Sequence, residues 1–258
     1  MYPLILQPTP EATTLHQQRE QLATTRALLV ERELELADLR TLLKTFEGRY
    51  LRQVGVLYAD LDDWEARIAE REVALYDSAS ARDRAAEARR RAAETHEAAY
   101  GEAHEAEEID PTPDLKRLFR EVAKRIHPDF ARDAEDAAHC TRLMARANQA
   151  YSRGDTDTLQ RILDDHHETI SIDGEDTAAE LLRIARQIQH AKRDIAALDL
   201  EIAALPTSEI AQLKHDADIA AREGRDLLTE LATSIRERIV EAQRRYEFLE
   251  RQIFAYGK

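Results

Sequence analysis

Three consecutive residues carry the most chemical information in this chain: His127-Pro128-Asp129. The proline ring fixes its own φ and biases the preceding residue away from the α region, so the imidazole and the carboxylate are presented in a set relation. Just upstream lie Lys116, Arg117, Arg120, Lys124 and Arg125, opposed only by Asp114 and Glu121. These cations avoid the positions of Leu115, Phe119, Val122 and Ile126, which fall on one face at helical spacing. The spacing therefore predicts an amphipathic helix with a cationic outer face, free to meet an acidic partner, and a rigid turn at its end. That is chemistry of docking and presentation rather than of turnover.

Other candidates are weaker. His96 and His104, His139 beside Cys140, and His166 beside His167 lack the His-x-x-x-His spacing with a third ligand that zinc favours. They are read as solvated surface, and neither metal nor cofactor is expected. No glycine-rich phosphate loop and no nucleophile elbow occurs, and the many carboxylates sit on helical stretches as salt-bridge partners. The chain is not expected to be an enzyme.

Helices must position the triplet, because little else can form. Among 258 residues only 5% are aromatic, and there are 7 Gly and 7 Pro, where average usage would give roughly 18 and about 13. Sheets and Rossmann-type folds need more turns than that, so an all-α protein is expected. With 51 acidic and 37 basic residues the formal net charge is −14. Such a field repels nucleic acid and anionic membrane, and neither is expected as a partner. A single cysteine excludes an intramolecular disulfide and suits a reducing compartment. No stretch approaches the ~20 apolar residues of a membrane span, and the first residues lack the positive segment of an export signal. A cytoplasmic location follows as the expectation.

Heptad spacing links Leu15, Leu22, Leu29, Leu36, Leu43 and Tyr50, a coiled-coil seam. It restarts four residues later through Val54, Leu57, Leu61, Trp64, Ile68 and Leu75, a stutter flanked by Gly48 and Gly55. Ala81 to Glu108 reads as a solvated helix held by propensity and charge pairs, and Ile109-Asp-Pro-Thr-Pro-Asp114 ends it with an N-capping Asp. After the triplet a second helix is expected near Ala137 to Arg153, with Met144, Ala147 and Tyr151 inward, then a short one over Thr156 to Asp165. A last seam runs through Leu181, Ile184, Ile188, Ala191, Ile195, Leu198, Ile202 and Leu205. Beyond Pro206 a longer one follows from Leu228 to Tyr256. The short connection between them predicts an antiparallel helical hairpin. Whether the N-terminal seam pairs with this hairpin or with a second copy is open at this level.

The run LKRLFREVAKRIHPD, a polar loop and ANQAYSRG resembles the J domain of DnaJ-like co-chaperones over about 45 residues, less than a usual domain. The resemblance implies a finger of two antiparallel helices that docks on a DnaK-type chaperone and stimulates its ATP hydrolysis. His127, Pro128 and Asp129 would be the triggering tip. Lys116, Arg117, Arg120, Lys124 and Arg125 would meet the acidic surface of the ATPase. There are departures. The family's first helix, with its Tyr-Tyr-x-x-Leu-Gly stretch, is missing, and only Ala98 to Glu108 with Tyr100 is at hand to replace it. Phe130 stands where the family usually has Lys, and no Gly/Phe-rich segment, zinc repeat or client-binding β-sandwich follows. The expected organisation is a coiled coil over 1–108, a truncated J-like module over 109–170 and a helical hairpin over 171–258. The coils would bind client or self-associate. The alternative is a structural or assembly subunit whose J-like part is a scaffold without chaperone contact.

Overall fold

The computed structural model describes residues 10–101, 109–131, 133–165 and 177–256, and every regular element among them is helical. No helix among the described residues is long and apolar enough to cross a membrane. The chain divides into two compact units, each drawn from two separated stretches: Met1–Leu42 with Ile109–Thr207, and Leu43–Glu108 with Ser208–Lys258. This division cuts across a segment-by-segment reading.

The first unit contains the body of α1 (Pro10–Tyr50), α4 (Pro113–Ile126), α5 (Ala134–Tyr151), α6 (Thr156–Asp165) and α7 (Thr177–Ala204). Thr112, not Asp114, caps α4: its hydroxyl accepts from the Leu115 N–H, with Pro113 preset for the first turn. Asp133 caps α5 in the same way, and that helix starts at Ala134, three residues before the expected Ala137. Gly154 closes the connection to α6 at φ +67°, a conformation that favours glycine. The seam of α1 pairs with α7 inside the chain, Leu15 and Leu22 beside Ile184 and Ile188, Leu29 and Leu36 beside Ala191 and Leu198. Arg19 reaches Glu180 at 2.6 Å and Arg40 reaches Glu201 at 2.7 Å, both across 161 residues. The two helices are therefore parallel and in constant register.

The second unit holds the end of α1, α2 (Val56–Tyr76), α3 (Ala79–Tyr100), α8 (Glu209–Arg222) and α9 (Leu227–Tyr256). The stutter is absorbed by one π-helical turn at Leu51–Gly55, which adds a residue without breaking the helix. A Cβ on Gly55 would stand 2.9 Å from Leu51 Cδ2, so the turn is closed tightly there. Phe46, Val54, Leu61 and Ile68 meet Leu228, Ile235, Ile239 and Leu249 in its core. The hairpin differs from expectation: α8 and α9 form it, with Gly224 at φ +77° in the turn, whereas α7 packs on α1 in the other unit. Helix α3 is exposed along most of its length and carries the expected charge pairs, Arg90 with Glu87 and Glu94, but it also has a buried face. Ala81, Ala85 and Ala99 are buried, and the buried α2 carboxylate of Asp62 accepts from Arg91 Nε at 3.1 Å and from the Thr95 hydroxyl at 2.8 Å. Small side chains let helices approach closely where large apolar ones are absent.

Candidate functional site

The triplet sits where α4 turns into α5, in the first unit. Leu115, Phe119, Val122 and Ile126 are all buried, against Met144, Ala147 and Tyr151 of α5 and Leu159, Ile162 and Leu163 of α6. The Phe119 and Tyr151 rings lie 4.8 Å apart, tilted by 56°. The same core takes in Val30, Leu34 and Ala37 of α1. Helix α1 therefore supplies a further wall to the core of α4, α5 and α6. Of the segment expected to do so, Ala98 to Gly101 belongs to the second unit and 102–108 lies outside the described residues.

Polar contacts fix that wall. Asp38 of α1 accepts from Lys116 Nζ at 2.8 Å and from the Tyr151 hydroxyl. Burial first, then the hydrogen bond to this carboxylate, drives the Tyr151 phenol well above its ordinary pKa. Arg120 Nε donates to Glu31 at 2.8 Å. Lys116 and Arg120 were expected on a free outer face, but α1 covers that side and engages both. The other cations remain outward: Arg117 pairs with Asp114 of its own helix at 3.0 Å, Arg125 donates to the Leu163 carbonyl at 3.0 Å, and Lys124 is exposed.

The tip itself is turned inward. Its three residues Pro128–Phe130 form a single 3-10 turn, and His127 caps it by accepting the Asp129 N–H on Nδ1 at 3.2 Å. With Nδ1 an acceptor, the remaining ring nitrogen, Nε2, stands 3.6 Å from Glu33 Oε1 of α1. The imidazole is only 3% exposed. Phe130 stacks on it at 5.1 Å, receives the Arg26 guanidinium 4.4 Å above its own ring, and packs with Leu29, Leu36, Ala191 and Leu198 between α1 and α7. A lysine at that position would carry a charge into this apolar seat, which accounts for the aromatic.

Asp129 faces α7. Burial, and next a hydrogen bond with the Asp194 carboxyl, lift its pKa from 3.8 to about 6, against the opposing pull of His127 and His190. Its Oδ2 is buried without a hydrogen-bond partner. Arg26 Nε and Gln187 Oε1 are buried without a hydrogen-bond partner as well. The sequence reading named the triplet and its cations but missed Arg26, Glu33, Asp38 and Asp194. One signal was legible: Val30, Leu34 and Ala37 form a second apolar stripe on α1, off the heptad seam, and a helix with two stripes has two neighbours.

In the second unit a groove of about 560 Å³ runs between α2, α3 and α9. Its charges cancel one another: Arg91 pairs with Glu65, Arg245 reaches Glu72 at 2.5 Å and Arg84 reaches Glu72 at 3.6 Å. Among the described residues no three His, Cys, Asp or Glu side chains converge to hold a metal. Comparison with protein-family models, with curated proteins and with solved structures finds no match.

Proposed function

We propose that this chain is a cytoplasmic helical scaffold in which the J-like finger is an internal joint, and that in this conformation it does not stimulate a DnaK-type chaperone. One observation carries the reading: the His-Pro-Asp tip is seated between α1 and α7, with His127 as a buried cap. A tip that triggers a partner's ATPase has to reach that partner. Here the imidazole, Phe130 and Asp129 face the chain's own helices, and two of the five docking cations are held by α1. The parallel pairing of α1 with α7 then serves assembly, holding the finger at a defined place on a longer helix.

Co-chaperone activity is the second reading, and a specific observation favours it. The α7 side of the seat leaves buried polar atoms of Arg26, Asp129 and Gln187 unpaired, each costing about 1–3 kcal/mol, so α7 is a cover that can lift. Single-turnover ATP hydrolysis by a DnaK-type chaperone separates the two. The scaffold reading expects no acceleration by the parent, nor by Asp129→Asn. Acceleration by the parent that Asp129→Asn abolishes would overturn it. Acceleration only by Ile195→Asp, which disrupts the α7 seat, would establish the covered co-chaperone instead.

A further inference from the structure

We propose that the groove of the second unit is the seat for an amphipathic helix of a partner protein, one that carries two acidic residues seven apart on its inward face. Helices α3 and α9 both pack along α2 but scarcely touch each other, so the three leave a trough above α2 where a four-helix bundle would have its fourth member. The floor of the trough is apolar: Leu61, Ile68 and Ala69 of α2, Ala88 of α3 and Ala242 of α9. Its two walls repeat one pattern, Arg-x-x-Glu-Ala-x-Arg-Arg, over 84–91 and over 238–245.

The walls meet at two cationic stations. Arg84 and Arg245 converge on Glu72, at 3.6 and 2.5 Å, and Arg91 and Arg238 converge on Glu65, the latter at 3.7 Å. The two glutamates stand two turns apart on α2, about 10 Å along its axis. Opposite charges balance over the whole lining but not in place. The Glu72 side chain is recessed, 14% exposed, whereas all four arginine side chains are half exposed or more. Arg84 and Arg238 stand beyond hydrogen-bond reach of their glutamates and keep guanidinium donors for an incoming carboxylate. Arg91 is more fully spent, on Asp62 at 3.1 Å as well as on Glu65, and Arg84 turns its Nε to the Ser80 carbonyl. A single helix meets both stations with residues i and i+7, while i+3 and i+4 face the alanines and Ile68 between them. The pattern required is Glu-x-x-Leu-Leu-x-x-Glu, held as a helix in a groove. Because both walls present arginine at both stations, a two-fold-related copy of this chain laid groove to groove would set guanidinium on guanidinium.

The seat goes beyond the scaffold reading and does not rest on it. The probe is a fluorescein-labelled helical peptide containing Glu-x-x-Leu-Leu-x-x-Glu, with a control peptide in which Lys replaces both Glu, each titrated against the full chain by fluorescence anisotropy. The parent should bind the Glu peptide about ten-fold more tightly than the Lys peptide. Arg84→Glu combined with Arg238→Glu should reverse that preference at unchanged helicity, because both side chains are more than half exposed. Ala88→Phe, which fills the trough, should weaken the Glu peptide about ten-fold. No binding by the parent, equal binding of the two peptides, or a preference that survives the double variant would overturn the proposal. Dimerisation of the parent in sedimentation that Ala88→Phe abolishes would overturn it too, since the occupant would then be a second copy.

Discussion

The two helices that grip the finger do so by different physics. On the α1 side the contact is apolar and matched: Val30, Leu34 and Ala37 enter the core, Asp38 serves two donors and Arg120 meets Glu31. On the α7 side, Asp129 meets another carboxyl and buried polar atoms lack partners. A helix that completes a core is part of the fold, and one that covers a seat is part of a state. The difference teaches that burial of the triplet has two components, a fixed one from α1 and a releasable one from α7.

The largest effect should come from breaking the fixed side. Leu34→Ala removes a side chain that is 3% exposed and should cost about 3 kcal/mol, read as faster amide exchange through α4. Asp38→Ala comes next. It leaves the Tyr151 hydroxyl buried without its acceptor and should cost about 2 kcal/mol, with Asp38→Asn recovering part because an acceptor remains. Urea denaturation followed by helical circular dichroism measures both.

How much of this was legible from residues alone varies with what each residue meets. The face Leu115, Phe119, Val122 and Ile126 announced α4 because its spacing records burial on one side. The heptads of α1 and α7 likewise announced a seam, and the stutter marked the place where the structure has a π turn, though not the turn itself. Direction was not legible: parallel and antiparallel seams have the same periodicity, so α7 was paired with the wrong helix. Nor was Asp38, because a carboxylate on a helix looks the same whether it faces water or Tyr151. The triplet was found but not its orientation. His127-Pro128-Asp129 encodes a rigid turn, and only the neighbours Glu33 and Asp194 decide which way it faces.

Smaller effects sharpen the releasable side. Ile195→Ala trims a partly buried contact of the α7 seat and should weaken α7 closure by about 1 kcal/mol, leaving exchange in α4 to α6 unchanged. Asp194→Asn removes the like charge and should tighten closure at pH 7 by about 1 kcal/mol. The gain should vanish near pH 4, well below the raised Asp129 pKa of about 6, where that carboxyl is already neutral. Exchange of α7 amides at the two pH values checks it.

Native-state hydrogen exchange across the first unit tests most directly whether α1 belongs to the finger and α7 only covers it. Amides of α1 near Val30 to Ala37 and of α4 near Phe119 to Ile126 should open together, at the highest free energy, while α7 near Ile188 to Leu198 opens separately and lower. A joint opening of α1 with α7 that leaves α4 to α6 protected would contradict this division of roles.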